Sequence, residues 1–164
     1  MTKAVWTAAV TAVACFIMAT SAFAQATTTK TVTVTATVSA RAKLTLGAAA
    51  ISFADADPDV TSSITAAGLS VDVKARTTGT GNVTLTVVSS DDLKSGSDVI
   101  AINNLTWTTP DLTAGTMNKT TAQTLGSWTG SGNYTGTQNY ALANSWAYNT
   151  GSYSATITYT LTAP

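Results

Sequence analysis

The chain reads as an all-β protein, an antiparallel sandwich of about eight or nine short strands, on three observations. Apolar and polar residues alternate strictly in most stretches from residue 30 to the end, the period of a half-buried strand. Thirty-five of the 164 residues are threonine, a β-branched type that fits a pleated surface and leaves the outer faces wet through hydroxyls. No stretch after the first two dozen residues carries a helical period, while Gly and Asn clusters punctuate the alternation at turn spacing.

Each element follows from that pattern. In residues 31–38 valine and threonine alternate, so Val32, Val34, Ala36 and Val38 share one face. Residues 44–46 and 51–53 continue as short pieces, and residues 55–58 form a turn because Asp and Pro each favour one. Residues 69–75 alternate cleanly, turn at Gly79–Asn82 and return through residues 83–87. Residues 89–97 read as polar loop. Residues 99–102 and 105–108 make a kinked strand or two short ones, closed by Pro110. Residues 124–128 and 134–142 flank a Gly-rich turn. The last strand places Tyr153, Ala155, Ile157, Tyr159 and Leu161 on one face and hydroxyl residues on the other. Two such layers enclose a core about 10 Å thick.

The N-terminus reads as a processing segment rather than part of the fold. Lys3 supplies a positive charge, residues 4–19 an apolar run, and Ala22-Phe23-Ala24 the small residues of a signal-peptidase site. A cut after Ala24 leaves a single domain of residues 25–164, with 27–40 as its N-terminal or donated strand. The chain is then exported, to the cell surface or medium by way of the periplasm. Its one cysteine, Cys15, falls within the leader. The run continuing through Phe16-Ile17-Met18 argues against a lipoprotein reading of Ala12-Val13-Ala14-Cys15. The processed chain has no thiol, no disulfide and no later stretch apolar enough to cross a bilayer as a helix.

Composition narrows the function. Formal net charge is zero, charged residues make up 10%, and histidine is absent, so no overall field steers the chain to nucleic acid. Arg41, Lys43, Lys74 and Arg76 read as solvated faces of strands. Without His, Glu or a mature Cys, the usual general bases, zinc ligands and activated nucleophiles are missing. The expectation is a protein that is not an enzyme and uses no cofactor. Asp55, Asp57 and Asp59 have the alternate spacing of a calcium loop but lack its glycine and closing Glu, so a strand-linking turn is the first reading. Trp107 and Trp128 sit in strand patterns and read as core plugs. Trp146 and Tyr148, near the Asn149-Thr150-Gly151 turn, read as partly exposed and suit a sugar ring. Four Asn-x-Thr triplets, beginning at Asn82, Asn104, Asn118 and Asn133, are chance matches in so threonine-rich a chain.

Two stretches carry a family resemblance. Ala36-Thr37-Val38-Ser39-Ala40, Leu44 and Ile51-Ser52-Phe53-Ala54-Asp55-Ala56-Asp57-Pro58 resemble the start of spore coat protein U-type domains, secreted pilins of the chaperone–usher kind. Thr150-Gly151-Ser152-Tyr153-Ser154-Ala155-Thr156-Ile157-Thr158-Tyr159 is similar to the closing strand of many such subunits. The chain departs from them in having no early cysteines. The resemblance implies an immunoglobulin-like fold completed by a neighbour's strand, self-association or other surface subunits as partners, and a periplasmic chaperone. Val32, Val34, Ala36 and Val38 have the spacing of donor residues. The same segment equally suits strand one of its own domain. Function is then expected to be a structural subunit of a fimbria or coat. The alternatives are a carbohydrate-binding sandwich using Trp146 and Tyr148, and a stand-alone periplasmic or secreted domain.

Overall fold

The computed structural model describes residues 26–164; the expected processing segment and Cys15 lie outside the described residues. Residues 37–164 form one compact unit, and residues 26–36 belong to a separate one. Eleven strands make up the described part: β1 (Arg41–Leu46), β2 (Ser63–Thr65), β3 (Leu69–Arg76), β4 (Asn82–Ser89), β5 (Leu93–Ser95), β6 (Asp98–Ile100), β7 (Leu105–Thr108), β8 (Gly115–Thr116), β9 (Gln123–Thr129), β10 (Gly132–Ala143) and β11 (Ile157–Thr162). A single 3-10 turn, Ile102–Asn104, separates β6 from β7.

The strands pair antiparallel throughout. One sheet has the order β1-β3-β10-β7-β8, with β2 also on β10; the second is β11-β4-β9, and β5-β6 is a small hairpin. The chain is thus an all-β sandwich, as its alternation predicts. The eleven strands exceed the expected eight or nine because the polar loop at 89–97 contains β5 and because β2 and β8 are two- or three-residue pieces.

The core forms where the inward faces of the two sheets meet. Leu69, Val71 and Val73 of β3 face Val83, Leu85 and Val87 of β4, all fully or almost fully buried. Trp107 and Tyr140 fill the middle with tilted rings 6.2 Å apart. The Trp107 indole N–H donates to the Thr113 carbonyl at 2.8 Å, so the ring is buried without losing a hydrogen bond. At one pole Trp128 of β9 and Tyr134 of β10 stack at 4.6 Å and 10°, closing the gap between the sheets. Both predicted tryptophan plugs therefore pack against the core.

Two expected strands are absent as strands. Residues 51–53 alternate, yet they are not in any sheet. Residues 31–38 also carry no strand, and β1 begins only at Arg41. Alternation states which face a strand would bury, but a strand exists only where a partner supplies hydrogen bonds. The last strand is likewise shorter than its pattern: regular pairing starts at Ile157, and upstream Ser154 bridges to Lys94 through two 3.0 Å backbone bonds and Thr156 accepts the Ser90 N–H at 2.8 Å.

Candidate functional site: a groove beside the last strand

β11 is an edge. It pairs with β4 on one side only, so among the described residues its other row of N–H and C=O groups is paired with no strand. Residues 48–56 line the same groove without joining a sheet, and among the described residues none of their backbone groups bonds to another backbone group. Between these two unpaired stretches lies a groove of about 1340 Å³. Ile51 and Phe53 line one wall, Ile157 and Tyr159 the other, and Leu69 and Leu105 its base. An apolar trough bounded by open β edges has the shape of a missing strand.

A buried hydrogen-bonded group lies against the trough. The Tyr140 and Tyr159 hydroxyls meet at 2.7 Å, and the Tyr159 hydroxyl donates to Gln138 Oε1 at 2.7 Å. Tyr140 and Gln138 are on β10 and Tyr159 is on β11, so the chain of bonds ties one sheet to the other. Gln138 is fully buried, and its Nε2 has no partner. Burial pushes both phenols up; the facing Tyr159 ring adds to the effect on Tyr140, while for Tyr159 the Tyr140 hydroxyl opposes it. These tyrosines therefore stay neutral hydrogen-bonding groups across the physiological range.

The groove ends at a loop held by one side chain. Asn144 Nδ2 donates to the carbonyls of Ala56 at 2.9 Å and Thr61 at 3.0 Å. Asp55, Asp57 and Asp59 occupy this loop, but among the described residues no group of three carboxylates gathers to hold a metal ion. Asp57 Oδ1 caps the Asp59 N–H at 2.9 Å, and Asp59 Oδ1 accepts the Trp146 indole N–H at 3.0 Å. The loop thus caps itself as a turn. The exposed Trp146 is 70% accessible, whereas Tyr148 is half-buried, and both line the groove's rim.

The predicted donor residues are exposed side chains on an unpaired segment. Val32, Val34 and Val38 are 86%, 88% and 69% accessible, the values of valines with almost nothing against them. Ala36 is exposed as well. Tyr140 and Gln138 escaped the sequence reading as site residues; a glutamine on the apolar face of a strand pattern was the available signal. Among the described residues no helix is long and apolar enough to cross a membrane. No protein-family model matches the chain, and no curated protein matches it by sequence.

Proposed function

We propose that the chain is a non-catalytic, exported structural subunit of a fimbria-like or coat-like surface assembly, joined by strand pairing between copies. One observation carries the reading. Among the described residues, the same chain holds a β-patterned segment that joins no sheet and a groove beside an unpaired β edge. Residues 32–38 span ~20 Å when extended, and their four apolar side chains would enter the trough as alternate knobs while the backbone pairs with β11. Burying one valine stabilises by about 1.5–3 kcal/mol, so three valines and an alanine can offset the ordering cost of a short segment. The residue types missing after the leader (His, Glu and Cys) support a role without chemistry. A periplasmic chaperone that covers the groove before assembly fits the same physics.

Deleting residues 27–38 tests this reading. The expected result is a soluble β-rich chain that no longer forms multimers in light scattering or negative stain. Adding a synthetic peptide of residues 27–40 should occupy the open groove and cap assembly of the intact chain. Multimers that persist after the deletion would sink the proposal.

Trp146 favours a second reading. An exposed indole, oriented by its bond to Asp59, is a platform on which a sugar ring could stack. Glycan-array binding that disappears in Trp146→Ala with the fold intact would support a carbohydrate-binding sandwich. A compact monomer that binds neither peptide nor glycan would leave the third reading, a stand-alone exported domain.

A further inference from the structure

Four cations that are scattered in sequence come together on one sheet face. Arg41 stands opposite Arg76, and Lys43 opposite Lys74, in the β1–β3 register. All four are exposed, and the two-residue period puts them on the outer face. Cross-strand neighbours have Cβ atoms roughly 5 Å apart, and like charges so placed repel. Lys94 and Lys119 are bridged to Asp91 and Asp92, but among the described residues no carboxylate bridges any member of the quartet. Asp72, the one acid on that face of β3, is half-buried with an unpartnered Oδ1. In a chain of zero net charge, this is a localised positive patch that no bridging carboxylate pairs among the described residues.

The quartet and the groove mouth lie at opposite poles. β10 runs from Gly132, opposite Ala75, to Ala143 beside the Asn144 clamp on the 55–61 loop. Its 12 residues place the acidic loop ~36 Å from the quartet pole. Asp55, Asp57 and Asp59 are all exposed and without a cation partner among the described residues; Asp55 and Asp57 line the groove at this end, and Asp59 follows in the same loop. The protein is therefore electrically polar along the strand direction.

Connectivity decides which copy fills the groove. Only Ser39 and Ala40 separate Val38 from Arg41, at the quartet pole, whereas the groove begins at Leu46, the far end of β1. A segment folding back on itself would spend most of residues 33–38 running along β1 before reaching Leu46. The occupant is a second copy of this chain, entering N-terminus first through the acidic mouth. Val38 then lies near the mouth, with Arg41 and Lys43 three and five residues behind it, within ~10–17 Å when extended.

We infer that the Arg41/Lys43/Lys74/Arg76 face of one copy docks against the Asp55/Asp57/Asp59 loop of the next. The inference rests on the strand-pairing reading and adds to it a charged, head-to-tail contact that sets polarity and speed of assembly. Such a contact uses two different surfaces, so it propagates as an open filament and does not close into a symmetric dimer. Charge complementarity of this kind steers encounter and rejects inverted or mismatched partners.

Assembly of the full chain, expressed for export, is followed by light scattering at about 0.01 M and 1 M salt, where the screening length falls from ~30 Å to ~3 Å. The expected result is a loss of rate on the order of tenfold or more at high salt. Salt strengthens apolar burial, so insertion alone predicts the opposite trend. Two charge-reversed copies give the decisive arm. One carries Arg41→Glu, Lys43→Glu, Lys74→Glu and Arg76→Glu, which preserves the cross-strand repulsion and so matches the parent in fold. The other carries Asp55→Lys, Asp57→Lys and Asp59→Lys. Neither should assemble alone, and a mixture should form alternating filaments. If each copy assembles alone at the parent rate, the charged contact is overturned; if the 27–38 deletion nevertheless abolishes assembly, strand pairing survives that result. Multimers formed without residues 27–38 overturn strand pairing and the head-to-tail docking built on it.

Discussion

The Tyr140 hydroxyl lies 2.7 Å from that of Tyr159, and this contact joins the two sheets at the groove. The pair sits where the sandwich stops being filled by its own side chains. On one side Trp107 packs against Tyr140; on the other lies the empty trough. A hydrogen-bonded pair at that boundary satisfies two phenols that burial would otherwise leave unpaired.

Tyr159→Phe should destabilise the fold by about 1–3 kcal/mol, because it strips the donor from buried Gln138 Oε1 and leaves Tyr140 without its partner. Tyr140→Phe should cost less, since the Tyr159–Gln138 bond at 2.7 Å survives. Urea unfolding of both single variants and the double variant measures the coupling. Equal losses in the two singles would mean that the link to Gln138 carries no weight of its own.

Alkaline pH should unfold the chain through the same tyrosines. Both phenols are raised in the fold, chiefly by burial, above the ordinary unfolded value of about 10. Their contribution is complete below pH ~10 and is lost as pH rises from there toward the folded values, because the unfolded chain releases these protons first. Stability followed by circular dichroism from pH 8 to 12 should fall above about 10, and less steeply in the Tyr140→Phe/Tyr159→Phe variant.

Gly115→Ala should be costly and Gly79→Ala nearly silent. A Cβ at Gly115 would lie 2.5 Å from Trp107 Cζ2, a ring that cannot retreat from the core, whereas Gly79 has nothing within 4 Å. Overpacking of this kind costs about 1–3 kcal/mol, and the Gly79 change should stay within ~0.5 kcal/mol. Thermal melts of the two variants compare them directly.

Asn144→Ala should loosen the groove's mouth without unfolding the sandwich. It removes both side-chain bonds to the 56–61 loop, while the core residues are untouched. The expected outcome is faster proteolysis and amide exchange around residues 48–61, with β3 and β4 protected as before. Uniform loss of protection across β3 and β4 would show that the loop supports the whole fold.

Most of the sandwich was legible because burial follows period two. β3 alternates buried Leu69, Val71, Val73 and Ala75 with outward Ser70, Asp72, Lys74 and Arg76, as the residues alone predict. Trp107 as a core plug and Trp146 as an exposed ring were readable from their places in and beside strand patterns. Residues 31–38 and 51–53 show the limit. They carry the same alternation as β3 but join no sheet among the described residues, and partners are non-local.

What the sequence determined by itself was class and face: strands, which side chains point inward, and the absence of the usual catalytic types. The tertiary structure alone decided pairing. It placed Arg41 against Arg76 and Lys43 against Lys74, brought Tyr159 to Tyr140, and left β11 with an open edge. The physical reason is that a period is local, written in adjacent residues, whereas register and strand order depend on which distant segments meet.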